Sequence, residues 1–223
     1  MDLRGLFSQI DEQELEKELK EQEEFESRDF SIKPGLYNAK LERIRYEKAK
    51  ESNALAIVFD YKLNSGANFS ERKWITDRNG NIMYSRKDEE TGVIVKKYLP
   101  GYLQAISLAK MHGLIPKELE DIIEANANIY GENRQIVMVN PYNIKQHMIK
   151  LVLRKEEYVD RNTGEFKQKD VIHKAFHFDT PDDDEKLQKA VKFVTENPIK
   201  EAKNKNAKSI ESKELSAEAK EMF

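Results

Sequence analysis

The sequence predicts a mainly β protein: a small antiparallel barrel with a helical pair inserted in its middle and charged segments at both ends. Three observations predict it. About seven runs alternate apolar and polar residues with the period of a strand. Turn signals such as Ser65-Gly66, Asn79-Gly80 and Thr163-Gly164 join these runs, and hairpin connections of that kind make a sheet antiparallel. The period changes once, between Pro100 and Asn126, to a helical one.

Residues 1–29 form an acidic arm. Ten acids face three bases in residues 11–29, a net of −7, while Asp2 and Arg4 cancel in residues 1–10. The whole chain carries −3, so residues 30–223 carry +4, and the local sign informs more than the overall balance. Asp11 is placed to cap a helix through residue 25, with Leu15, Leu19 and Phe25 as a thin apolar stripe among good helix formers.

The β region opens at Phe30. Tyr37, Ala39 and Leu41 alternate along one strand and Leu55, Ile57, Phe59, Tyr61 and Leu63 along the next. Arg43, Arg45, Tyr46, Lys48 and Lys50 lie between them and read as a basic, polar turn. Residues 69–76 form a third strand, and Asn79-Gly80 turns it back into residues 82–85. Residues 87–92 turn again into residues 93–99. Pro100-Gly101 opens one helix with Leu103, Ile106, Leu108 and Met111 apolar, stopped by His112-Gly113. Pro116 opens a second over residues 117–126, with Leu119, Ile122 and Ile123 turned inward. Strands resume at residues 135–139, 147–158 and 166–178, and residues 187–194 read as a short helix. The barrel domain is thus expected over 30–180. A flexible, charged tail follows the helix within 181–223, because residues 196–223 hold too little apolar mass to fold alone. This layout matches an OB-fold, with a β-sandwich carrying a helical insertion as the second architecture.

Composition bounds the chemistry. A chain of 223 residues, 39% hydrophobic and 35% charged, supports one core of ordinary size and not two. With no cysteine, disulfides and thiolate metal sites are excluded. No apolar run approaches ~18 residues, and the first residues lack the basic-then-apolar order of a signal peptide, so a soluble cytoplasmic protein with no membrane partner is expected.

Cations interleaved with aromatics on a sheet suit a nucleic-acid strand, because aromatic faces stack on bases and cations follow phosphates. The candidates are Arg43, Arg45, Tyr46, Lys48 and Lys50 at the first turn. Arg72, Lys73, Trp74 and Arg78 follow on the third strand and its hairpin, then Tyr84, Arg86, Lys96 and Tyr98. By period 2, Arg72 and Trp74 share one face and Lys73 and Ile75 the other. Trp74 reads either as core packing or as a base platform. No P-loop is present and no metal or cofactor is expected. His173 and His177 are too far apart on a strand to share an ion easily, and Asp182, Asp183 and Asp184 read as a surface run. Two other functions stay open. Asp60 with Glu71 and Lys73 could hold Mg²⁺ and orient water in a metal-dependent nuclease, and the same body could serve as a non-enzymatic scaffold.

Four stretches carry a resemblance to a known family: PGLYNAKLERI, SNALAIVFDYKLNSG, YLPGYLQAISLAKMHGL and MIKLVLRKEEYVDRNTGEFKQKDVIHKAFHF. In this order they resemble bacteriophage single-stranded DNA-binding proteins and related phage replication proteins, over roughly residues 32–178. The resemblance implies an OB-fold, binding of single-stranded DNA without sequence specificity in replication, recombination or repair, a place in the host cytoplasm, and no catalytic residues. Such proteins often end in an acidic tail with a terminal Phe. Glu214, Glu218, Glu221, Met222 and Phe223 match that pattern and Lys220 departs from it, so the tail is either a docking peptide for replication or recombination partners or a solubilising segment.

Overall fold

The computed structural model describes residues 32–88, 92–129, 131–160 and 163–202. Contacts divide the chain into residues 1–32 and 33–223, and the sheets and helices belong to the second unit. The acidic arm and the tail residues Glu218, Glu221, Met222 and Phe223 lie outside the described residues.

The alternating pattern from Gly35 produces an antiparallel meander of three strands: β1 (Gly35–Lys48), β2 (Leu55–Leu63) and β3 (Asn68–Trp74). β1 runs straight through the basic residues expected in a turn, so the β1–β2 connection is only residues 49–54. A bulge at Glu42 shifts the register between Leu41↔Tyr61 and Arg43↔Asp60. On its other edge β1 pairs residues 35–40 with β8 (Met148–Val159), which in turn pairs with β9 (Phe166–His177). The order across the sheet is therefore β9-β8-β1-β2-β3, and since each neighbour is antiparallel, β3 and β9 run in the same direction. Among the described residues no strand pairing joins β3 to β9, so the expected barrel is an open sheet. A side chain reaches across the seam instead: the Ile172 N–H donates to the Glu71 carboxylate at 3.2 Å.

Helix α1 (Pro100–Met111) follows Pro100 as expected, and buries Ala105, Leu108 and Ala109. Gly101 is required at its start, because a Cβ there would stand 2.1 Å from the Trp74 carbonyl oxygen. The helix ends at His112, and Gly113 takes a positive φ of 74°, the left-handed conformation that glycine adopts most cheaply. His112 is fully buried. Its Nδ1 lies 2.6 Å from the Gln146 carbonyl oxygen and its Nε2 3.0 Å from the Tyr61 hydroxyl. A carbonyl only accepts, so Nδ1 carries the proton and Nε2 accepts from the Tyr61 O–H.

The second expected helix is a strand. Pro116 starts one 3-10 turn (Pro116–Glu120) that buries Leu119, and the chain then extends as β6 (Ile122–Ile129), paired with β7 (Glu132–Val139) around Gly131. The residues 122–129, IIEANANI, satisfy period 2 as well as the helical spacing, and the partner strand decides between them. Ile122 and Ile123 are exposed accordingly, not turned inward. The Asn79-Gly80 turn does not return a strand onto β3 either. β4 (Met83–Lys87) pairs with β5 (Ile94–Tyr98) in a separate two-stranded ribbon. Asp77 organises that turn instead, accepting from the Asn79 and Asn81 N–H groups at 2.8 Å each.

The sheet continues past residue 180, where the sequence pattern places the end of the domain. Asp184 caps helix α2 (Glu185–Glu196) by accepting from the Lys186 and Leu187 N–H groups. Leu187, Ala190 and Val194 then pack on Val152, Leu36 and Phe176. A short β10 (Ile199–Lys200) adds to β8 in parallel. No helix among the described residues is long and apolar enough to cross a membrane.

Burial lowers the pKa of His112 from 6.5 to about 4. Between those values the unfolded chain binds a proton that the folded one refuses, so His112 stabilises the fold fully above pH 6.5 and loses this as pH falls toward 4, by about 3 kcal/mol at most. Urea midpoints measured across this window should fall on acidification in the wild type, and the step should shrink in His112→Gln.

Candidate nucleic-acid interface

Three rungs cross the outer face of the meander: Arg43–Asp60–Ser70, Arg45–Val58–Arg72 and Glu47–Ala56–Trp74. The arginines of the first two rungs are paired with acids of the first and third. Arg45 is 3% exposed; its Nε donates to Asp60 at 2.8 Å and its guanidinium also contacts Glu47. Asp60 accepts in addition from the Ser70 hydroxyl at 2.7 Å, and Arg43 stands 3.5 Å from it. Arg72 pairs with Glu47 at 2.5 Å. Burial disfavours the charge on Arg45, but the contacts with Asp60 and then Glu47 outweigh burial and hold its pKa above the ordinary value. The expectation that Arg45 is a free cation at a turn is thus corrected: it is a buried structural ion in a strand.

The β6–β7 hairpin crosses this part of the face. β7 meets β1 at Arg45↔Met138 and Tyr46↔Val137. The tip residues Asn128, Ile129 and Gly131 line a cavity of about 140 Å³ with Arg43, Asp60, Asn68 and Ser70. Tyr46 belongs to the opposite face. Its hydroxyl donates to the Leu119 carbonyl at 2.7 Å, and burial, then the Glu120 charge, pushes its pKa up to about 12. It anchors the 3-10 turn, which corrects its assignment as a base platform at the first turn. The signal was present in the period, since Tyr46 shares a face with Ile44.

Of the third rung Trp74 is exposed, and the loop beside it is open. Lys48, Lys50 and Arg78 line one concavity of about 750 Å³, because the β1–β2 loop and the Asp77 turn are joined by the Asn53 N–H donating to the Arg78 carbonyl at 3.1 Å. Among the described residues none of these three side chains has a hydrogen-bonded or ion-paired partner. Trp74 stands at the same end, 44% exposed, on the face it shares with Arg72 as the period predicts. Lys73 faces the other way, ion-paired with Glu71. The ribbon leads into Gly101, which packs against the Trp74 carbonyl and so ties its end to this one. Its register divides the remaining candidates: Tyr84 and Arg86 lie on one face, Lys96 and Tyr98 on the other. Tyr98 stacks on Tyr102 with centroids 5.2 Å apart. Lys97, opposite Tyr84, and Lys87 are further cations of the ribbon that the sequence pattern did not single out; Lys97 lay within an expected strand, whereas Lys87, read as a turn residue, ends β4.

The carboxylates of the nuclease reading do not converge. Asp60 lies on the outer face and Glu71, one register step away opposite Phe59, on the inner one. Each is also committed, Asp60 to Arg45 and Ser70, Glu71 to Lys73 and the Ile172 N–H. His173 sits at a bulge and stacks on Phe193, with no approach to His177. Comparison of the chain with protein-family models and with curated proteins finds no match.

Asp60→Ala strips the buried Arg45 of its main partner. The unfolding free energy by urea titration should drop by about 3 kcal/mol, the usual cost of stranding a buried charge. The Lys48→Ala, Lys50→Ala and Arg78→Ala changes should each stay within about 0.5 kcal/mol of the wild type.

Proposed function

We propose that the protein binds single-stranded DNA without sequence preference, on the surface formed by Trp74, Lys48, Lys50 and Arg78 and continued by one face of the β4–β5 ribbon, either that of Tyr84 and Arg86 or that of Lys96 and Tyr98. The observation that carries the reading is an exposed tryptophan at the same end as three cations that, among the described residues, have no ion-paired acid, Glu51 being the one carboxylate that lines their concavity. Unpaired cations release condensed counterions when they meet phosphates, and an exposed indole gives a base a stacking surface of about 1–3 kcal/mol. The strand order supports an OB-like reading: a three-stranded meander, a helix, then two strands returning beside β1, with the β1–β2 loop at the binding end as in oligonucleotide-binding members of that fold. A role in phage replication, recombination or repair, and partner docking through Phe223 and its acidic neighbours, follow from the resemblance of the sequence.

Anisotropy titration with an unstructured labelled oligonucleotide should show tighter binding than duplex. Trp74→Ala should weaken it by about 1–3 kcal/mol. The triple change Lys48→Ala, Lys50→Ala, Arg78→Ala should flatten the salt dependence by about 2 in log–log slope, near 0.7 for each phosphate left unneutralised. Equal affinity for single and double strands would sink the proposal, as would a salt slope that the triple change leaves untouched.

A further inference from the structure

The seam between β3 and β9 holds a second candidate site, on the face of β3 opposite Trp74. A groove of about 400 Å³ lies there between α1 and β9, lined among others by Lys73, Gln104, Ser107, Met111, His173 and Lys174. That volume is within the range of about 300–1,000 Å³ typical of small-ligand sites. Three features of the groove go beyond what the fold needs. Lys73 occupies an inward position of β3, in line with the buried Phe69 and Glu71, where an apolar side chain would pack more cheaply. β9 is bulged here, its register passing from Val152↔Lys174 to Leu153↔Ile172 and leaving His173 without a partner. Bulges of this kind re-aim side chains and recur beside functional sites. Finally, the surroundings are electropositive. The pKa of His173 is pushed down by burial and then by the charges of Arg154 and Lys174, while Glu71 is already held by Lys73 and the Ile172 N–H.

We propose that this seam groove binds a phosphate-bearing ligand of nucleotide size, its phosphate held by Lys73 and Lys174 with Ser107 and Gln104 as hydrogen-bonding neighbours. Lysine serves as a point charge for phosphate, and Gln104 and Ser107 stand three apart on α1, on one side of the helix. Met111 gives the groove an apolar wall for the rest of the ligand. The site is independent of the strand-binding surface, since none of its residues lies on the Trp74 face.

The test uses the full chain, with deoxyadenosine monophosphate as probe and deoxyadenosine as control, by calorimetric titration and by following the His173 imidazole signals. The monophosphate should bind saturably, shift His173 and raise its pKa, and the nucleoside should bind at least tenfold more weakly. Lys174→Gln should weaken the monophosphate about tenfold, because it removes one charge-assisted hydrogen bond to the phosphate. Lys174 is exposed, so this variant should melt as the wild type does, and it keeps the test valid if Lys73→Gln, which unpairs Glu71, fails to fold. An unstructured oligonucleotide that displaces the monophosphate assigns the groove to strand phosphates; one that leaves it bound assigns it to a free nucleotide; both support the site. It is overturned by no saturable binding, by equal binding of nucleoside and monophosphate, by affinity unchanged in Lys174→Gln, or by shifts centred on Trp74 instead of His173.

Discussion

One strand has to serve three partners. β1 pairs with β2 along residues 39–48 on one edge. Its other edge is divided between β8 at residues 35–40 and β7 at Arg45 and Tyr46. Its 14 residues, at about 3.3 Å each, are too long for one side of a small sheet without a change of direction, and the bulge at Glu42 supplies it. The rest of the architecture follows from this division. β8 brings β9 round toward β3 and creates the seam that α1 and Glu71 occupy. β7 brings its hairpin over Arg43 and Arg45. Among the described residues, the far end of β1, Lys48 and the loop after it, has no covering strand.

The same division separates two uses of positive charge. Under the hairpin, Arg45 is matched by Asp60 and Glu47 and Arg72 by Glu47, an arrangement that fixes the register of three strands and leaves little charge to offer a ligand. Such a pair is costly to break and contributes little net stability over an apolar replacement. At the open end Lys48, Lys50 and Arg78 have no acid paired with them among the described residues, and their loops are held together by a backbone hydrogen bond, not by ion pairs. Charge density in the sequence is similar in both places; pairing with Asp60 and Glu47 is what distinguishes the covered arginines from the cations of the open end.

Much of the sheet was legible because its strands are long and strongly alternating. β1, β2 and β3, the late pair β8 and β9, and helix α1 all begin close to where period and punctuation place them. That Trp74 and Arg72 share a face was legible for the same reason, but not that this face is the exposed one. β6 was not, because IIEANANI after Pro116 fits both periods and the partner that decides lies beyond Gly131. The burial of Arg45 was not legible either: Asp60 is 15 residues away, and the bulge at Glu42 sets which acid meets which base. Nor could local spacing tell that Asp60 and Glu71, adjacent in a loose motif, would fall on opposite faces, since this depends on the register across the β2–β3 turn.

The proposed binding of single-stranded DNA uses the open end of β1 and not the hairpin-covered face. Backbone amide shifts recorded while an unlabelled thymidine oligonucleotide is added distinguish the two. The largest changes are expected in residues 48–53 and 74–80 and in the β4–β5 ribbon, with Arg43, Arg45 and the β6–β7 tip nearly unmoved. Changes centred on Arg43, Arg45 and residues 126–131, with residues 48–53 and 74–80 silent, would contradict it.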